Sequence, residues 1–119
     1  RLNVSGGFHS PLTAPAERRL RPVLEATEFH DPRVPFLSTV TCQLERARDV
    51  VPILVRQLTA PVRFTQAVDA LVRRGADTFV EVGSGNVLSG LVRRIDRGVR
   101  ALSVSAPGDI AKLREVLGG

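Results

Sequence analysis

Apolar positions along the chain alternate between short continuous runs and longer stretches with helical spacing. Runs of strand length occupy residues 34–40 (VPFLSTV), 78–82 (TFVEV) and 100–105 (RALSVS), and residues 2–4 predict the end of a further strand. Apolar side chains recur at helical spacing over about residues 11–26, 46–58, 63–74, 86–97 and 108–117. Because strands alternate with helices, the pattern predicts an α/β layer with mostly parallel strands.

Several helix boundaries are marked by residues with strong backbone preferences. Ser10 is a good N-cap and Pro11 a good first residue for the first helix. Pro22 predicts a kink or a restart inside that helix, because proline lacks the N–H that an interior position needs. Pro61 is expected to end the second helix before the third begins, and Gly75 is typical of a helix end.

Length and composition indicate one small domain. The chain has 119 residues, 43% of them apolar, which is enough for a core. The single cysteine, Cys42, excludes an internal disulfide and a multi-cysteine zinc cluster. No apolar run approaches the roughly 20 residues that span a bilayer, and because the first residues lack a basic-then-apolar pattern we expect no signal peptide there. We therefore expect a cytoplasmic protein that binds no metal and crosses no membrane.

The charge pattern indicates which kinds of molecule this protein is expected to bind. A net charge of +5 comes from 17 Lys and Arg, all but Lys112 being Arg. A basic balance favours acidic partners. Nucleic-acid binders more often add aromatic side chains for stacking or a continuous basic run. With five Phe, no Tyr and no Trp, and with arginines paired along helices, the sequence predicts no nucleic-acid partner.

The stretch SGGFHSPL at residues 5–12 places His9 between a predicted strand and a predicted helix. A histidine titrates near neutral pH, so its ring can take a proton from a hydroxyl and later return it. The crevice at the strand ends is where α/β enzymes place such groups. Spacing alone leaves two interpretations open for His9, a catalytic base or a surface or capping histidine.

For the other candidate residues, a structural role has to be weighed against a catalytic or binding role. The turn at residues 83–86 (GSGN) could hold a phosphate at a helix N-terminus, but it lacks the full dinucleotide and Walker motifs, and a tight turn is favoured. Gln57 is expected to be buried or half-buried at a helix end. Cys42 is expected to be an inert thiol rather than a nucleophile, and His30 to be solvated. Glu81 lies on a strand beside the turn and is a candidate functional residue, but its position indicates no particular role.

Four blocks together resemble one family. SGGFHSPL, VPFLSTVT, LVRQLTAPVRFTQAV and DTFVEVGSGNVLSGLVRRI occur in this order up to about Ile95. They closely resemble the C-terminal part of malonyl-CoA:acyl carrier protein transacylase. The resemblance implies that residues 1–119 are the C-terminal segment of an α/β-hydrolase-like acyltransferase domain, the half that carries the catalytic histidine.

The resemblance also implies a mechanism and its residues. The family moves a malonyl group from coenzyme A to the phosphopantetheine thiol of acyl carrier protein through an acyl-serine, and needs no further cofactor. His9 matches the base that activates the serine. Gln57 matches the glutamine whose backbone carbonyl orients that histidine, the role of Asp in a Ser-His-Asp triad. Phe8 matches a residue of malonyl-selective members, where methylmalonyl-selective relatives tend to have Ser.

Departures from the family pattern leave alternatives open. Thr13 stands where Met is usual, and Ser84, Asn86, Thr39 and Phe64 also differ from the usual residues. The family's nucleophilic serine precedes the histidine and has no counterpart in this sequence, so we expect an upstream part of the same enzyme to be a partner and the isolated 119 residues to be inactive. Two other hypotheses remain: a trans-acting acyltransferase of a polyketide synthase, and a non-catalytic module whose arginine-rich helices dock an acidic partner.

Overall fold

The computed structural model describes residues 6–118, so the predicted strand at residues 2–4 lies outside the described part. The elements are a short 3-10 helix at Pro11–Thr13, α1 (Ala14–Glu25), β1 (Phe36–Leu37), β2 (Leu44–Glu45), α2 (Ala47–Gln57), α3 (Phe64–Val72), β3 (Thr78–Val82), α4 (Val87–Ile95), β4 (Arg100–Val104) and α5 (Asp109–Gly118). This order confirms the predicted α/β class. The chain divides into two compact units, residues 1–67 and 68–119.

The first unit opens with the predicted cap. The Ser10 side chain accepts a hydrogen bond from the Leu12 N–H at 3.3 Å, and Pro11 occupies the first helical position. α1 then continues through Pro22 to Glu25 as one helix, so the restart considered at Pro22 does not occur. α1 packs against α2.

The strand predicted over residues 34–40 is wrong in length and pairing. Only Phe36–Leu37 is strand, and it pairs antiparallel with β2, which the sequence did not indicate. The chain turns after β1 because the Ser38 hydroxyl accepts from the Val40 N–H at 3.1 Å, and the Cys42 N–H donates to the Ser38 carbonyl at 2.8 Å. Cys42 takes a left-handed backbone conformation, φ 58°. A side chain that bonds its own backbone competes with strand pairing in this way.

Two carboxylates fix the start of α2. Asp31 Oδ1 accepts from the Ala47 N–H at 2.7 Å, and Asp49 Oδ2 accepts from the Arg46 N–H at 3.1 Å. Acidic groups at this position satisfy orphan donors and favour the positive end of the helix dipole. The most buried residues of α2 are Ile53 and Val55. α2 therefore has a fixed start and a buried face, and it ends at Gln57.

The second unit is a β-α-β arrangement. β3 and β4 are parallel, in register from Thr78 opposite Arg100 to Val82 opposite Val104. α4 connects them and contacts both strands, and α5 packs on β4. Parallel neighbours need such a crossover connection. α3 spans the boundary between the units, and Gly75 follows it with φ 94°, as predicted for a helix end.

Buried apolar residues are mostly small, whereas several large ones are exposed. The buried set is Val40, Ile53, Val55, Ala67, Val68, Ala70, Val92 and Ala101. Val82 is 81% exposed and Leu12 79%. Within residues 6–118, no helix has the length and apolar character needed to cross a bilayer.

Candidate active site

His9 occupies a tightly closed loop before α1. Its backbone is left-handed, φ 55°, a conformation that side chains other than glycine rarely adopt. The Ser10 hydroxyl donates to the Gly7 carbonyl while accepting from the Leu12 N–H, which closes the loop on both sides. A Cβ at Gly7 would lie 2.8 Å from Leu12 Cδ1, so a larger residue there would have to displace the end of the exposed Leu12 side chain. The loop thus holds His9 in one unusual backbone conformation.

The His9 ring bonds to the end of α2. Nδ1 lies 2.8 Å from the Gln57 backbone oxygen. A carbonyl only accepts hydrogen bonds, so Nδ1 must carry the hydrogen. In the neutral ring this fixes the tautomer and leaves the lone pair on Nε2. Among residues 6–118 no hydrogen bond to Nε2 is present, and His9 is exposed. An imidazole in this state can accept a proton at Nε2.

The sequence explains why the Gln57 carbonyl is free to accept. In a continuing α-helix that oxygen would receive the N–H of the residue four positions later. Here that residue is Pro61, which has no N–H. The last turn of α2 instead closes with the N–H groups of Thr59 and Ala60 on the Arg56 carbonyl. The Gln57 carbonyl is therefore an unpaired helix-end acceptor until His9 reaches it.

Further contacts join the start of α1 to the end of α2, and the sequence analysis missed them. Thr13 Oγ1 bonds the Ser10 carbonyl at 2.7 Å and also the Leu58 carbonyl. Thr59 Oγ1 donates to Glu17 Oε2 at 3.2 Å. The four-residue spacing of Thr13 and Glu17 is a signal that could have indicated a shared face at the start of α1, since such spacing aligns side chains along a helix.

Phe8, which the resemblance associates with acyl selectivity, lies beside His9 in the chain. Its side chain is largely exposed, at 66%, and a Cβ on Gly6 would be 3.5 Å from its ring. Leu12, on the other side of His9, is more exposed still. Exposed apolar side chains therefore lie on both sides of His9 in the sequence.

The turn at residues 83–86 is built around a carboxylate. Glu81 accepts from the Ser89 N–H at 2.8 Å and the Leu88 N–H at 3.1 Å, at the start of α4. These bonds, that of Ser89 first, lower the pKa of Glu81 below its ordinary value of 4.5. An anion at this helix start would meet a negative charge that already uses the donors. The arrangement favours the tight turn over a phosphate site.

The remaining candidates stay apart from His9. His30 is exposed, with Nδ1 3.8 Å from an equally exposed Glu28 carboxylate. Cys42 is half-buried, with its sulfur 3.8 Å from the Arg63 carbonyl. In the part of the chain that the structure describes, no three His, Cys, Asp or Glu side chains are grouped so that they could hold a metal ion. His9 and Gln57 are the predicted site residues that the structure brings into contact.

The chain has an α/β fold, and its structural neighbours are malonyltransferase domains. It matches malonyl-CoA:acyl carrier protein transacylases in sequence and structure, which confirms the resemblance. The Bacillus subtilis strain 168 transacylase is 42% identical over 111 residues, 92% of this chain and 35% of the relative. The acyl-carrier-protein-S-malonyltransferase of Bartonella henselae superposes with a TM-score of 0.91 at 35% identity, covering 99% of this chain and 38% of that one.

A further similar structure is that of a complex between two proteins. It is a malonyl-transacylase in complex with a type II polyketide synthase acyl carrier protein, with a TM-score of 0.89 at 35% identity, covering 97% of this chain and 38% of that one. No family model matches the chain. The chain spans about a third of the length of the curated relatives it matches. The likeness is therefore strong over this segment and concerns only part of each relative.

Proposed function

We propose that this chain supplies the catalytic histidine for transfer of a malonyl group from coenzyme A to the phosphopantetheine thiol of acyl carrier protein. The 2.8 Å hydrogen bond between His9 Nδ1 and the Gln57 carbonyl is the main support, because it leaves Nε2 as the basic nitrogen. In this proposal residues 1–119 are the C-terminal, histidine-bearing segment of an acyltransferase domain. No cofactor takes part.

In the proposed reaction His9 moves one proton in each direction. Nε2 accepts the hydroxyl proton of a serine as the serine oxygen bonds to the malonyl thioester carbon. The carbon–sulfur bond then breaks, and the imidazolium returns the proton to the leaving coenzyme A sulfur. The acyl-serine next reacts with the phosphopantetheine thiol by the same steps in reverse. Gln57 holds the ring and itself exchanges no proton.

A neutral carbonyl partner suits this substrate. In a Ser-His-Asp triad a carboxylate orients the ring and adds a negative charge. The Gln57 carbonyl fixes the same tautomer without that charge. Malonyl carries its own carboxylate, and a second negative charge beside the base would repel it. The His9–Gln57 pair thus favours an acidic acyl group.

We propose that the serine lies in another part of the same enzyme, as in the family, and that this part covers the apolar side chains beside the base. Phe8 and Leu12 flank His9 and are 66% and 79% exposed. Such side chains are normally covered when a site closes and excludes water. Phe8 would then restrict the space for a branched acyl group, which favours malonyl over methylmalonyl.

The proposed macromolecular partner is acyl carrier protein, an acidic protein, in the cytoplasm. Within residues 6–118, no carboxylate forms an ion pair with Arg73, Arg74, Arg93 or Arg94. Unpaired arginines attract acidic surfaces and speed association. The complex of a related transacylase with its carrier protein supports this partner. A fatty-acid carrier and a polyketide carrier are both candidate acceptors, and transfer rates to each would separate the two pathways.

Replacing His9 tests the proposal in the complete enzyme. We expect His9→Ala to lower kcat by roughly 10²–10⁴-fold, the usual contribution of a positioned base. His30→Ala is the matched control, because it removes the exposed His30 ring and should leave kcat unchanged. Wild-type turnover in His9→Ala, with the fold intact by circular dichroism, would remove His9 from the mechanism. The 119 residues alone should acquire no label from radioactive malonyl-CoA, and a stable acyl adduct on them would contradict the proposal.

A further inference from the structure

Gln57, the last residue of α2, and the two residues after it are each bonded by residues spaced four apart near the start of the chain. The Gln57 carbonyl accepts from His9, the Leu58 carbonyl bonds Thr13, and the Thr59 hydroxyl donates to Glu17. We name the contacts of Thr13 with Leu58 and of Glu17 with Thr59 the α1–α2 clasp. The two contacts of the clasp thus involve the two residues that directly follow Gln57, whose carbonyl bonds the imidazole.

We propose that Thr13 is a positioning residue for His9, acting through the α1–α2 clasp. This inference rests on the proposed role of His9 as the base. Thr13 does not touch the ring. It bonds the carbonyl of Ser10, which follows His9, and the carbonyl of Leu58, which follows Gln57. Thr13 therefore joins the two peptide segments whose separation sets the length of the His9–Gln57 hydrogen bond.

The chemistry of the Thr13 hydroxyl explains why it couples these segments. A hydroxyl has one hydrogen, and both of its partners here are carbonyls that can only accept. The hydrogen must be shared, so the two carbonyl oxygens have to lie within reach of the same group. Thr13 is half-buried, which limits competition from water. A substitution that removes the hydroxyl frees the end of α2 to move relative to the histidine loop.

The Glu17 contact contributes less. Its carboxylate also pairs with Arg21 at 3.1 Å, and the Arg21 side chain is 49% exposed. Exposed pairs of this kind add little to stability. Thr13 is the better target for substitution, since its two partners lie directly beside the atoms of the proposed site.

The test compares Thr13→Val with Thr13→Ser in the complete enzyme. Valine keeps the shape and removes the hydroxyl, whereas serine keeps the hydroxyl. Thr27→Val is the matched control: Thr27 Oγ1 donates at 2.7 Å to the Val23 carbonyl near the end of α1, outside the clasp. Two readouts are needed, the His9 tautomer from long-range ¹H–¹⁵N NMR of labelled histidine, and steady-state kcat and KM.

We expect Thr13→Val to lower the population of the Nδ1–H tautomer of His9 and to lower kcat about tenfold with KM within twofold, because displacing a catalytic group by a fraction of an ångström is costly. Thr13→Ser should restore both readouts, and Thr27→Val should change neither. An unchanged tautomer and an unchanged kcat in Thr13→Val would overturn the inference. Should Thr13→Val fail to fold, Thr13→Ala against Thr13→Ser gives the same comparison with less bulk.

The two proposals fail differently. If His9→Ala keeps full activity, the proposed role of His9 as the base is wrong. Comparing the Nδ1–H tautomer population of His9 in wild type and in Thr13→Val still decides whether the clasp positions the ring. If His9→Ala is inactive while Thr13→Val matches wild type in tautomer and kcat, only the positioning role of Thr13 is wrong.

Discussion

Two buried serines should differ in what their hydroxyls contribute to stability. Ser38 and Ser89 are 4% and 2% exposed. The Ser38 hydroxyl accepts from the Val40 N–H at 3.1 Å. The Ser89 hydroxyl donates to the Asn86 carbonyl at 3.0 Å. Replacing each serine with alanine removes one hydrogen bond to the backbone, of similar length in the two cases, but the backbone groups left behind are not equivalent.

The magnitudes follow from those partners. In Ser38→Ala the Val40 N–H, on a residue 3% exposed, loses the one acceptor that the described residues give it, which costs about 1–3 kcal/mol. In Ser89→Ala the Asn86 carbonyl keeps the Gly90 N–H at 3.1 Å. The net loss there is about 1 kcal/mol, and alanine regains about 0.5 kcal/mol through its higher helix propensity. Ser38→Ala should therefore be the costlier change by about 1.5 kcal/mol.

Urea unfolding of the complete enzyme measures this difference. Hydrogen exchange in peptides covering residues 36–46 and 86–95 reports each site locally. With a denaturant slope of about 2 kcal/mol per M, the difference corresponds to a midpoint shift of roughly 0.7 M. Ser84→Ala is the control, because Ser84 is exposed and its change should stay within about 0.5 kcal/mol. Equal losses in Ser38→Ala and Ser89→Ala would refute the reasoning from unpaired donors.

Two further predictions concern the carboxylate at α4 and the acyl group. The pKa of Glu81 is lowered by its bonds to the Ser89 and Leu88 N–H groups, so its ionised form stabilises the fold above the unfolded value near 4.5 and that stability is lost as pH falls through the lower folded value. Urea midpoints of wild type and Glu81→Gln should thus differ at pH 7 and converge towards pH 3, and a gap independent of pH would contradict this. Phe8→Ser should raise the ratio of methylmalonyl to malonyl kcat/KM about tenfold, measured by competition between the two coenzyme A thioesters. An unchanged ratio would show that Phe8 does not limit the acyl pocket.

Local signals in the sequence predicted much of the fold. Ser10 with Pro11 marked the start of the first helix, and Gly75 marked the end of the third, because each residue type has a backbone preference that needs no distant partner. The parallel strands β3 and β4 followed from short apolar runs on either side of a helical pattern. The hairpin was missed because its turn depends on the Ser38 side chain and on a left-handed Cys42, which apolar patterning does not register.

The candidate site was only partly predictable from local pattern. His9 and Gln57 are 48 positions apart, and only the family resemblance joined them before the structure did. The sequence correctly predicts that Pro61 ends a helix, but the consequence for the Gln57 carbonyl depends also on the position of the imidazole. The contacts of Thr13 and Glu17 were missed for the same reason, since each bond joins two distant segments.

Because Pro61 has no N–H, the proposed site depends on a residue that can donate no hydrogen bond to the imidazole or to its partner. In the proposed mechanism His9 depends on the Gln57 carbonyl being present and also on the absence of a backbone N–H that would compete for it. A residue with an amide hydrogen at position 61 could let α2 extend by a turn and take the Gln57 oxygen for its own backbone. The imidazole would then lose its anchor although every group that touches it remained in the sequence.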